Sequence, residues 1–217
     1  MKPAALPILT VCLAAGAAVA QSDISPSHKH AWGENVGWMN WRDAGDPDGA
    51  QGVEYSGSYL GGYIWGENIG WIRLGDGSPV NGVGYANADN TDYGVNIAPN
   101  GVLSGYGWGE NVGWINFDTA AELGAFNQHA RLDTAANRFR GYAWGENIGW
   151  INLDDDEHYV ALICRADFNN DGNVNTLDVI AFLNAWVPKL PSADFNGDGT
   201  VNTLDVIAFL NAWVAGC

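Results

Sequence analysis

The sequence predicts a protein that is α+β by domain, in which an all-β antiparallel repeat domain is followed by a small α domain. Two internal repeats support this prediction. A Trp-Gly-Glu-Asn-hydrophobic-Gly-Trp motif begins at Trp32, Trp65, Trp108 and Trp144. An Asp/Asn-rich loop begins at Asp167 and again at Asp194, and each copy runs into the same apolar segment, Val-Ile-Ala-Phe-Leu-Asn-Ala-Trp. We therefore expect three segments: a signal peptide at 1–20, a β domain at 21–160 and an α domain at 161–217.

Residues 1–20 have the features of a secretory signal peptide. Lys2 provides the basic start, the stretch 4–18 is largely apolar, and Ala18-Val19-Ala20 offers a cleavage site of small residues. Cleavage there removes Cys12 and leaves two cysteines, a number that suits one disulfide in an oxidising compartment. The segment predicts a secreted, extracellular or cell-surface bacterial protein.

Charge excludes some partners. The net charge is −16, and removal of Lys2 with the signal peptide makes it −17. Such a surface repels nucleic acid and anionic lipid. No second apolar stretch is long enough to predict a membrane span.

Each Trp-Gly-Glu-Asn motif predicts a β-hairpin. In the fourth copy Tyr142 and Trp144 alternate with Ala143, Gly-Glu-Asn has turn chemistry, and Ile151 and Leu153 share one face of the returning strand. Short strands upstream make a unit a three-stranded meander, with three full copies and a shortened first one. The copies are spaced by 33, 43 and 36 residues, so insertions fall in loops. The repeats close as a barrel, a sandwich, a short solenoid or a small propeller, and a short helix is allowed at 119–123.

The repeated acidic residue raises the question of catalysis. Paired carboxylates are typical of glycoside hydrolases, so if the protein is an enzyme we expect a glycoside hydrolase. A catalytic acid and base need different environments, whereas residues at one repeat position share the same one. We therefore expect each carboxylate to accept backbone N–H bonds in its own turn, and we predict no catalytic residues. The four residues are Glu34, Glu67, Glu110 and Glu146.

The tryptophans have two interpretations. A regular row of indoles is most often core, and it can also form a platform that stacks on pyranose rings. Buried indoles favour a structural module, and a solvent-facing linear row favours binding of polysaccharide. The candidate stacking residues are Trp32, Trp65, Trp108 and Trp144.

The histidines give at most a weak signal. His28 and His30 lie two apart in an expected polar N-terminal extension, where a weak metal contact is the alternative to a disordered polar start. His129 and His158 are isolated in the sequence.

The Trp-Gly-Glu-Asn motif resembles a repeat of secreted bacterial proteins, and this resemblance implies no activity.

The two Asp/Asn-rich loops have the spacing of calcium loops. A twelve-residue loop offers oxygens from positions 1, 3, 5, 7, 9 and 12 and turns sharply at a glycine in position 6, here Gly172 and Gly199. Val174 and Val201, at position 8, are expected to turn inward and join the loops. The predicted ligands are Asp167, Asn169, Asp171, Asn173 (backbone carbonyl), Asn175, Asp178, Asp194, Asn196, Asp198, Thr200 (backbone carbonyl), Asn202 and Asp205. The duplication predicts two Ca²⁺ ions.

The segments after the loops have helical periodicity. Apolar residues recur at i, i+3, i+4 and i+7 and are expected to pack against each other. They are Val179, Phe182, Leu183 and Trp186, with Val206, Phe209, Leu210 and Trp213 in the second copy. No helix is predicted before either loop, because prolines interrupt 188–192.

A loop without an entering helix, an exiting helix, a linker and a repeat of both resembles a dockerin type I domain, an EF-hand-like fold, over residues 164–217. The closest variant ends in Gly-Cys and has a matching cysteine before the first loop. The resemblance implies a secreted anchoring module that binds two Ca²⁺ and docks onto a cohesin-like or other surface or scaffold protein. It implies partner-binding roles for loop positions 10 and 11, which are Thr176, Leu177, Thr203 and Leu204. A Cys164–Cys217 disulfide would stabilise so small a module by about 4 kcal/mol.

Together these features predict a secreted, non-catalytic β-repeat protein anchored through a calcium-binding dockerin-like domain. The alternative is a module of an extracellular complex that binds or degrades polysaccharide.

Overall fold

The computed structural model describes residues 22–44 and 51–216. The predicted signal peptide with Cys12, and also Cys217, lie outside these residues. The strands are β1 (Ile24–Gly33), β2 (Gly37–Asn40), β3 (Val53–Tyr55), β4 (Tyr59–Gly66), β5 (Gly70–Gly75), β6 (Val95–Ile97), β7 (Leu103–Gly109), β8 (Gly113–Asn116), β9 (Arg131–Asp133), β10 (Arg138–Arg140), β11 (Tyr142–Gly145), β12 (Gly149–Asn152) and β13 (Val160–Leu162). The helices are α1 (Ala120–Leu123), α2 (Thr176–Trp186) and α3 (Thr203–Ala215), with 3₁₀ turns at Gly124–Phe126 and Pro191–Ala193.

The four Trp-Gly-Glu-Asn motifs form four hairpins, which pair side by side into a closed antiparallel β-barrel. The hairpins are β1–β2, β4–β5, β7–β8 and β11–β12. Neighbouring hairpins pair through β2–β4, β5–β7 and β8–β11, and β12 returns to β1 to complete the ring. Of the architectures that the repeats allowed, the chain adopts the barrel, and the predicted fold class is confirmed.

Alternation along the strands decides which side chains fill the barrel. Each hairpin pairs two inward residues across its strands, as in the Ala31–Met39, Ile64–Ile72 and Ala143–Ile151 pairs. All of these are buried. A further inward position closes each repeat unit and supplies some of the largest core side chains, and it is occupied by Trp41, Leu74, Phe117 and Leu153.

A glycine bends the strand that leads into each of the last three hairpins. Gly62, Gly105 and Gly141 have φ of +79°, +88° and +79°. A Cβ at each would lie 2.1–2.2 Å from a backbone carbonyl oxygen. Before the bend the strands pair with β3, β6 and β9, and after it they form the barrel hairpins. Val53, Val95 and Leu132 of these three strands are buried in the same core as the barrel. The first unit has Lys29 at this position, which agrees with its prediction as a shortened copy.

The C-terminal helices form a second small core. Phe182 and Phe209 stack with their ring centroids 4.3 Å apart and their planes 6° from parallel. Phe168 and Phe195, from the two loops, pack edge-on against them. The duplicated sequence therefore gives two loop–helix units facing each other across these rings.

Candidate functional site: two calcium loops and a ring of tryptophans

The carboxylate at position 1 is the centre around which each loop is wound. In the first loop Asp167 accepts hydrogen bonds from the amides of Asp171 at 3.0 Å and Gly172 at 2.8 Å. In the second loop Asp194 accepts from the equivalent amides at 3.1 and 2.8 Å. Gly172 has a φ of +86°, in the left-handed region that glycine tolerates, and this lets the chain reverse over the carboxylate.

The carboxylate at position 12 joins each loop to its helix. Asp178 is fully buried and accepts from the Asn169 amide at 3.1 Å and the Asn175 amide at 2.8 Å. Asp205 makes the same bonds in the second copy. Because each is the third residue of its helix in a capping box, the residue that closes the loop also begins the helix.

The three carboxylates of the first loop lie near one another. Burial raises the pKa of Asp167, the Gly172 and Asp171 amides oppose the rise, and the charges of Asp178 and Asp171 add to it. Mutual repulsion of this kind is what a bound divalent cation removes. All of the predicted metal ligands are oxygen atoms, and such a set fits Ca²⁺.

The loops are closed by their own hydrogen bonds. Among the described residues, no group of three or more His, Cys, Asp or Glu side chains forms a preformed metal cage. The Asn175 amide group donates to the Asn173 carbonyl at 3.3 Å, and its oxygen accepts from the Leu177 amide at 2.8 Å. Two predicted ligand positions are thus bonded to each other, and the calcium ligands remain predictions. When bound, the ion would supply positive charge to each set of three carboxylates.

The two loop–helix units are cross-linked by reciprocal hydrogen bonds. The indole N–H of Trp186 in α2 donates to the carbonyl of Asn202 in the second loop at 2.7 Å. The indole N–H of Trp213 in α3 donates to the carbonyl of Asn175 in the first loop at 2.8 Å. Each helix therefore holds position 9 of the opposite loop. The sequence predicted packing for these indoles and missed their polar contacts.

One part of the predicted helix packing is wrong. Phe182 and Phe209 are buried, and the valines and tryptophans of the stripes pack around them. Leu183 and Leu210, however, are 40% exposed, because the two helices meet through the stacked phenylalanine rings and leave these neighbouring positions on the outer side. Of the position 8 valines, Val201 packs against the small core, and Val174 is half-buried.

The predicted partner-binding residues lie on the surface. Thr176, Leu177, Thr203 and Leu204 are all exposed. Each leucine begins an exposed apolar stripe that continues along its helix. The stripes consist of Leu177, Ile180, Leu183 and Val187, and of Leu204, Ile207, Leu210 and Val214. Exposed apolar patches of this kind mark protein interaction sites.

Cys164 is disulfide-bonded. It lies three residues before Asp167, the first residue of the first Asp/Asn-rich loop. Its predicted partner, Cys217, lies outside the described residues, so the pairing itself stays a prediction.

Residues 165–212 match the family model of the dockerin type I domain. The C-terminal module is a dockerin domain. Dockerin domains typically bind calcium and dock onto cohesins of scaffold proteins, and proteins that carry them are typically extracellular or attached to the cell surface. No curated protein and no solved structure matches the chain.

Outside the dockerin, each hairpin carries a pair of tryptophans on the outer face of the barrel. The pairs are cross-strand neighbours in an edge-to-face arrangement with centroids 4.6–4.8 Å apart. They are Trp32–Trp38, Trp65–Trp71, Trp108–Trp114 and Trp144–Trp150. We call these eight residues the tryptophan ring. They are half-buried or exposed, so the interpretation of the repeat tryptophans as core is wrong, and closure of the barrel makes them a ring rather than a linear row.

The glutamates of the motif stand at the hairpin tips. All four are exposed, and within the described part of the chain none of their side chains accepts a hydrogen bond. The expectation that they accept from backbone amides is wrong. The adjacent asparagine has the structural role, and it acts between repeats.

Four asparagines form a closed ring of hydrogen bonds at this end of the barrel. Each donates through its side-chain amide to the carbonyl of the turn residue in the preceding repeat, at 3.0–3.1 Å. The bonds are Asn68 to Val36, Asn111 to Ile69, Asn147 to Val112, and Asn35 to Ile148. We call this set the asparagine ring. Its last member joins residues 113 apart in sequence and links the first repeat to the fourth.

The apolar residue of each turn covers the barrel end. It is buried in all four repeats, and its side chain folds back over the first glycine of the motif, where a Cβ would lie 2.5–2.6 Å from it. The second glycine has a φ between +76° and +81°. A turn followed by a left-handed glycine is a common hairpin connection, so every position of the motif except the glutamate has a structural reason.

The histidine expectations are also corrected. His28 and His30 lie in β1 rather than in an extension, and His28 stacks on Tyr159 at 4.0 Å. His158 is not isolated, because its ring contacts that of Trp38 at 4.7 Å. These contacts join residues far apart in sequence, which no local pattern could indicate.

Across the residues that the structure describes, no helix is long and apolar enough to cross a membrane.

Proposed function

We propose that the protein is a secreted, non-catalytic β-barrel protein that its dockerin attaches to a cohesin-bearing scaffold or surface protein. Its signal peptide spans 1–20, its β domain 21–160 and its anchoring domain 161–217. The oxygens of the twelve predicted loop positions bind two Ca²⁺ ions, and a Cys164–Cys217 disulfide closes the anchoring domain.

The duplicated apolar stripe is the observation that carries the anchoring role. Leu177 and Leu204 are 55% and 56% exposed at the start of equivalent helices. Each follows directly on a loop whose position 12 carboxylate begins the helix. Calcium at the loop would therefore fix the end of the helix that presents the leucine, so docking should depend on the metal.

A non-catalytic barrel is supported by the glutamates. They occupy the same exposed position on four hairpin tips. General acid and base roles require carboxyl groups in contrasting environments, and these four are alike.

The anchoring proposal is tested by binding of the intact, oxidised protein to immobilised type I cohesin domains. We expect binding in 1 mM Ca²⁺ and loss of binding in excess EDTA. The double variant Leu177→Asp/Leu204→Asp should lose binding at least roughly tenfold, as expected for burial of two leucines. Leu190→Asp, an exposed leucine of the linker, is the matched control and should bind normally. Binding that is indifferent to both EDTA and the double variant would refute the role of the loops and stripes.

A second candidate function, polysaccharide binding by the barrel, is favoured by the tryptophan ring. Trp32, Trp108, Trp144 and Trp150 are 36–38% exposed. Indoles are costly to leave in water when their only role is packing. Their apolar faces are suited to the C–H faces of pyranose rings.

A further inference from the structure

The longest insertion between repeats covers one side of the barrel. The second and third copies of the motif are 43 residues apart, and the additional residues include a loop over 76–94 between β5 and β6. The loop places Tyr93 against Trp114, with ring centroids 5.0 Å apart. The other hairpin junctions have shorter insertions, so this junction differs from them in shape.

A cleft of about 620 Å³ lies at this junction. Among its lining residues are Trp65, Trp71, Arg73, Tyr93, Trp108 and Glu110. A second cleft of about 320 Å³ has Tyr93, Tyr106 and Trp114 in its wall, together with Asp89 and Glu146. Tyr93 lines both clefts and joins their aromatic walls. We call the larger one the Arg73 cleft. Its volume falls within the range usual for small-molecule sites.

Arg73 departs from the repeat at this position. The other three repeats have asparagine there, and its side-chain oxygen accepts the backbone amide two residues later at 2.8–3.0 Å. These residues are Asn40, Asn116 and Asn152. The second repeat lacks that local hydrogen bond. In its place Arg73 pairs across the strands with Trp108, the first tryptophan of the next hairpin.

The guanidinium of Arg73 is incompletely paired. Its Nε is buried and has no hydrogen-bond partner among the described residues. Its Nη2 lies 3.8 Å from an Asp76 oxygen, and both side chains are more than a third exposed, so that ion pair is weak. Because the Arg73 side chain is 38% exposed, the accessible part of its guanidinium keeps N–H donors for a bound acceptor.

We infer that the Arg73 cleft binds a neutral polysaccharide chain, which deepens the second proposed function and rests on it. Trp71 and Trp108 stack on the faces of pyranose rings. Arg73 donates to sugar hydroxyl or ring oxygens, and Glu110 accepts from hydroxyl groups. The chain continues over Tyr93 onto the surface formed by Tyr106 and Trp114. A net charge of −16 disfavours polyanionic glycans, so the ligand is an uncharged hexose or pentose polymer.

The junction between the fourth and first hairpins is less suited to a neutral sugar. There a cleft at Trp32 and Trp38 is lined by Asp155, Asp156 and Glu157. His158 covers part of the Trp38 ring. Three carboxylates and a covered indole leave little flat apolar surface for a sugar.

The test is affinity electrophoresis of the full oxidised protein with Ca²⁺ present. The gels contain mixed-linkage β-glucan, xyloglucan, arabinoxylan or galactomannan, with polygalacturonate as the anionic probe. The variant Trp108→Ala is compared with Phe126→Ala, which removes an exposed aromatic ring outside the cleft and outside the tryptophan ring. Arg73→Asn restores the residue of the other repeats, so it is expected to fold.

We expect retardation by at least one neutral polymer. Its dissociation constant should rise roughly tenfold or more in Trp108→Ala and in Arg73→Asn, and should be unchanged in Phe126→Ala. If no neutral polymer retards the wild-type protein, polysaccharide binding itself is refuted and the anchoring proposal is untouched. If binding occurs and Trp108→Ala weakens it no more than Phe126→Ala does, the assignment to the Arg73 cleft is refuted. Stronger retardation by polygalacturonate would overturn the assignment of a neutral ligand.

Discussion

The asparagine ring allows a quantitative test of barrel closure. Each ring asparagine donates one hydrogen bond of 3.0–3.1 Å to a turn carbonyl of the preceding repeat. An intramolecular hydrogen bond of this kind contributes about 0.5–1.5 kcal/mol. Replacing Asn35 by alanine should therefore lower the free energy of unfolding by about 1 kcal/mol. It should lower Tm by roughly 2–4 °C.

Repetition supplies the internal comparison. Because the four bonds have the same geometry, alanine at Asn68, Asn111 or Asn147 should cost as much as at Asn35. If the bonds are independent, the fourfold variant loses about 2–6 kcal/mol. Asparagine to aspartate, which keeps the size and removes the donor, should cost at least as much as alanine.

The neighbouring glutamates provide the matched control. Glu34→Ala changes an exposed residue of the same turn whose side chain makes no hydrogen bond within residues 22–44 and 51–216, so its effect should stay within about 0.5 kcal/mol. The assay is urea unfolding followed by near-ultraviolet circular dichroism, which reports the barrel tryptophans. The reasoning is refuted if Asn35→Ala has no effect while the other three asparagine variants do, because that result means an open barrel between the first and fourth repeats. It is equally refuted if the glutamate variants cost as much as the asparagine variants.

Four further outcomes are expected. Chelation of Ca²⁺ should abolish the far-ultraviolet helical signal of the dockerin and leave the barrel's near-ultraviolet signal intact, and an unchanged helical signal would contradict the calcium assignment. Trp186→Phe and Trp213→Phe should each destabilise the dockerin by about 0.5–1.5 kcal/mol and weaken calcium binding at the opposite loop, as measured by calorimetry, because each removes the N–H that holds that loop. Gly149→Ala should cost about 1–2 kcal/mol in denaturant unfolding because its φ is +80°, whereas Gly124→Ala, at a φ of −59°, should be nearly neutral. Burial lowers the pKa of His28. The stability that the neutral His28 side chain contributes is therefore complete above its unfolded pKa of about 6.5 and is lost as pH falls through the lower folded pKa. Thermal melts should show a falling Tm over that pH range.

The dockerin shows how far local sequence reaches. Alternating oxygens, a glycine at position 6 and a following apolar stripe are properties of one short segment, so the loops and helices were predictable. The reciprocal bonds of Trp186 and Trp213, and the outward position of Leu183, depend on how two copies dock. A helical stripe shows which residues share a face but not how closely a partner approaches that face.

The barrel shows the same limit on a larger scale. The hairpins were predictable, because alternation and turn chemistry act within about a dozen residues. The roles of the residues within the motif were not predictable. Its glutamate, which resembles a catalytic residue, makes no hydrogen bond among the described residues. Its asparagine, a common turn residue, donates a hydrogen bond to another repeat.

Both repeats, the β-hairpins of the first and the loop–helix units of the second follow from local sequence. Closure of the four hairpins into a ring, which turns the tryptophans outward and brings Arg73, Tyr93 and Trp108 to one cleft, appears only in the folded chain. A hairpin forms from contacts within its own segment, whereas closure depends on pairing between strands more than a hundred residues apart, as in Trp32 of β1 with Asn152 of β12.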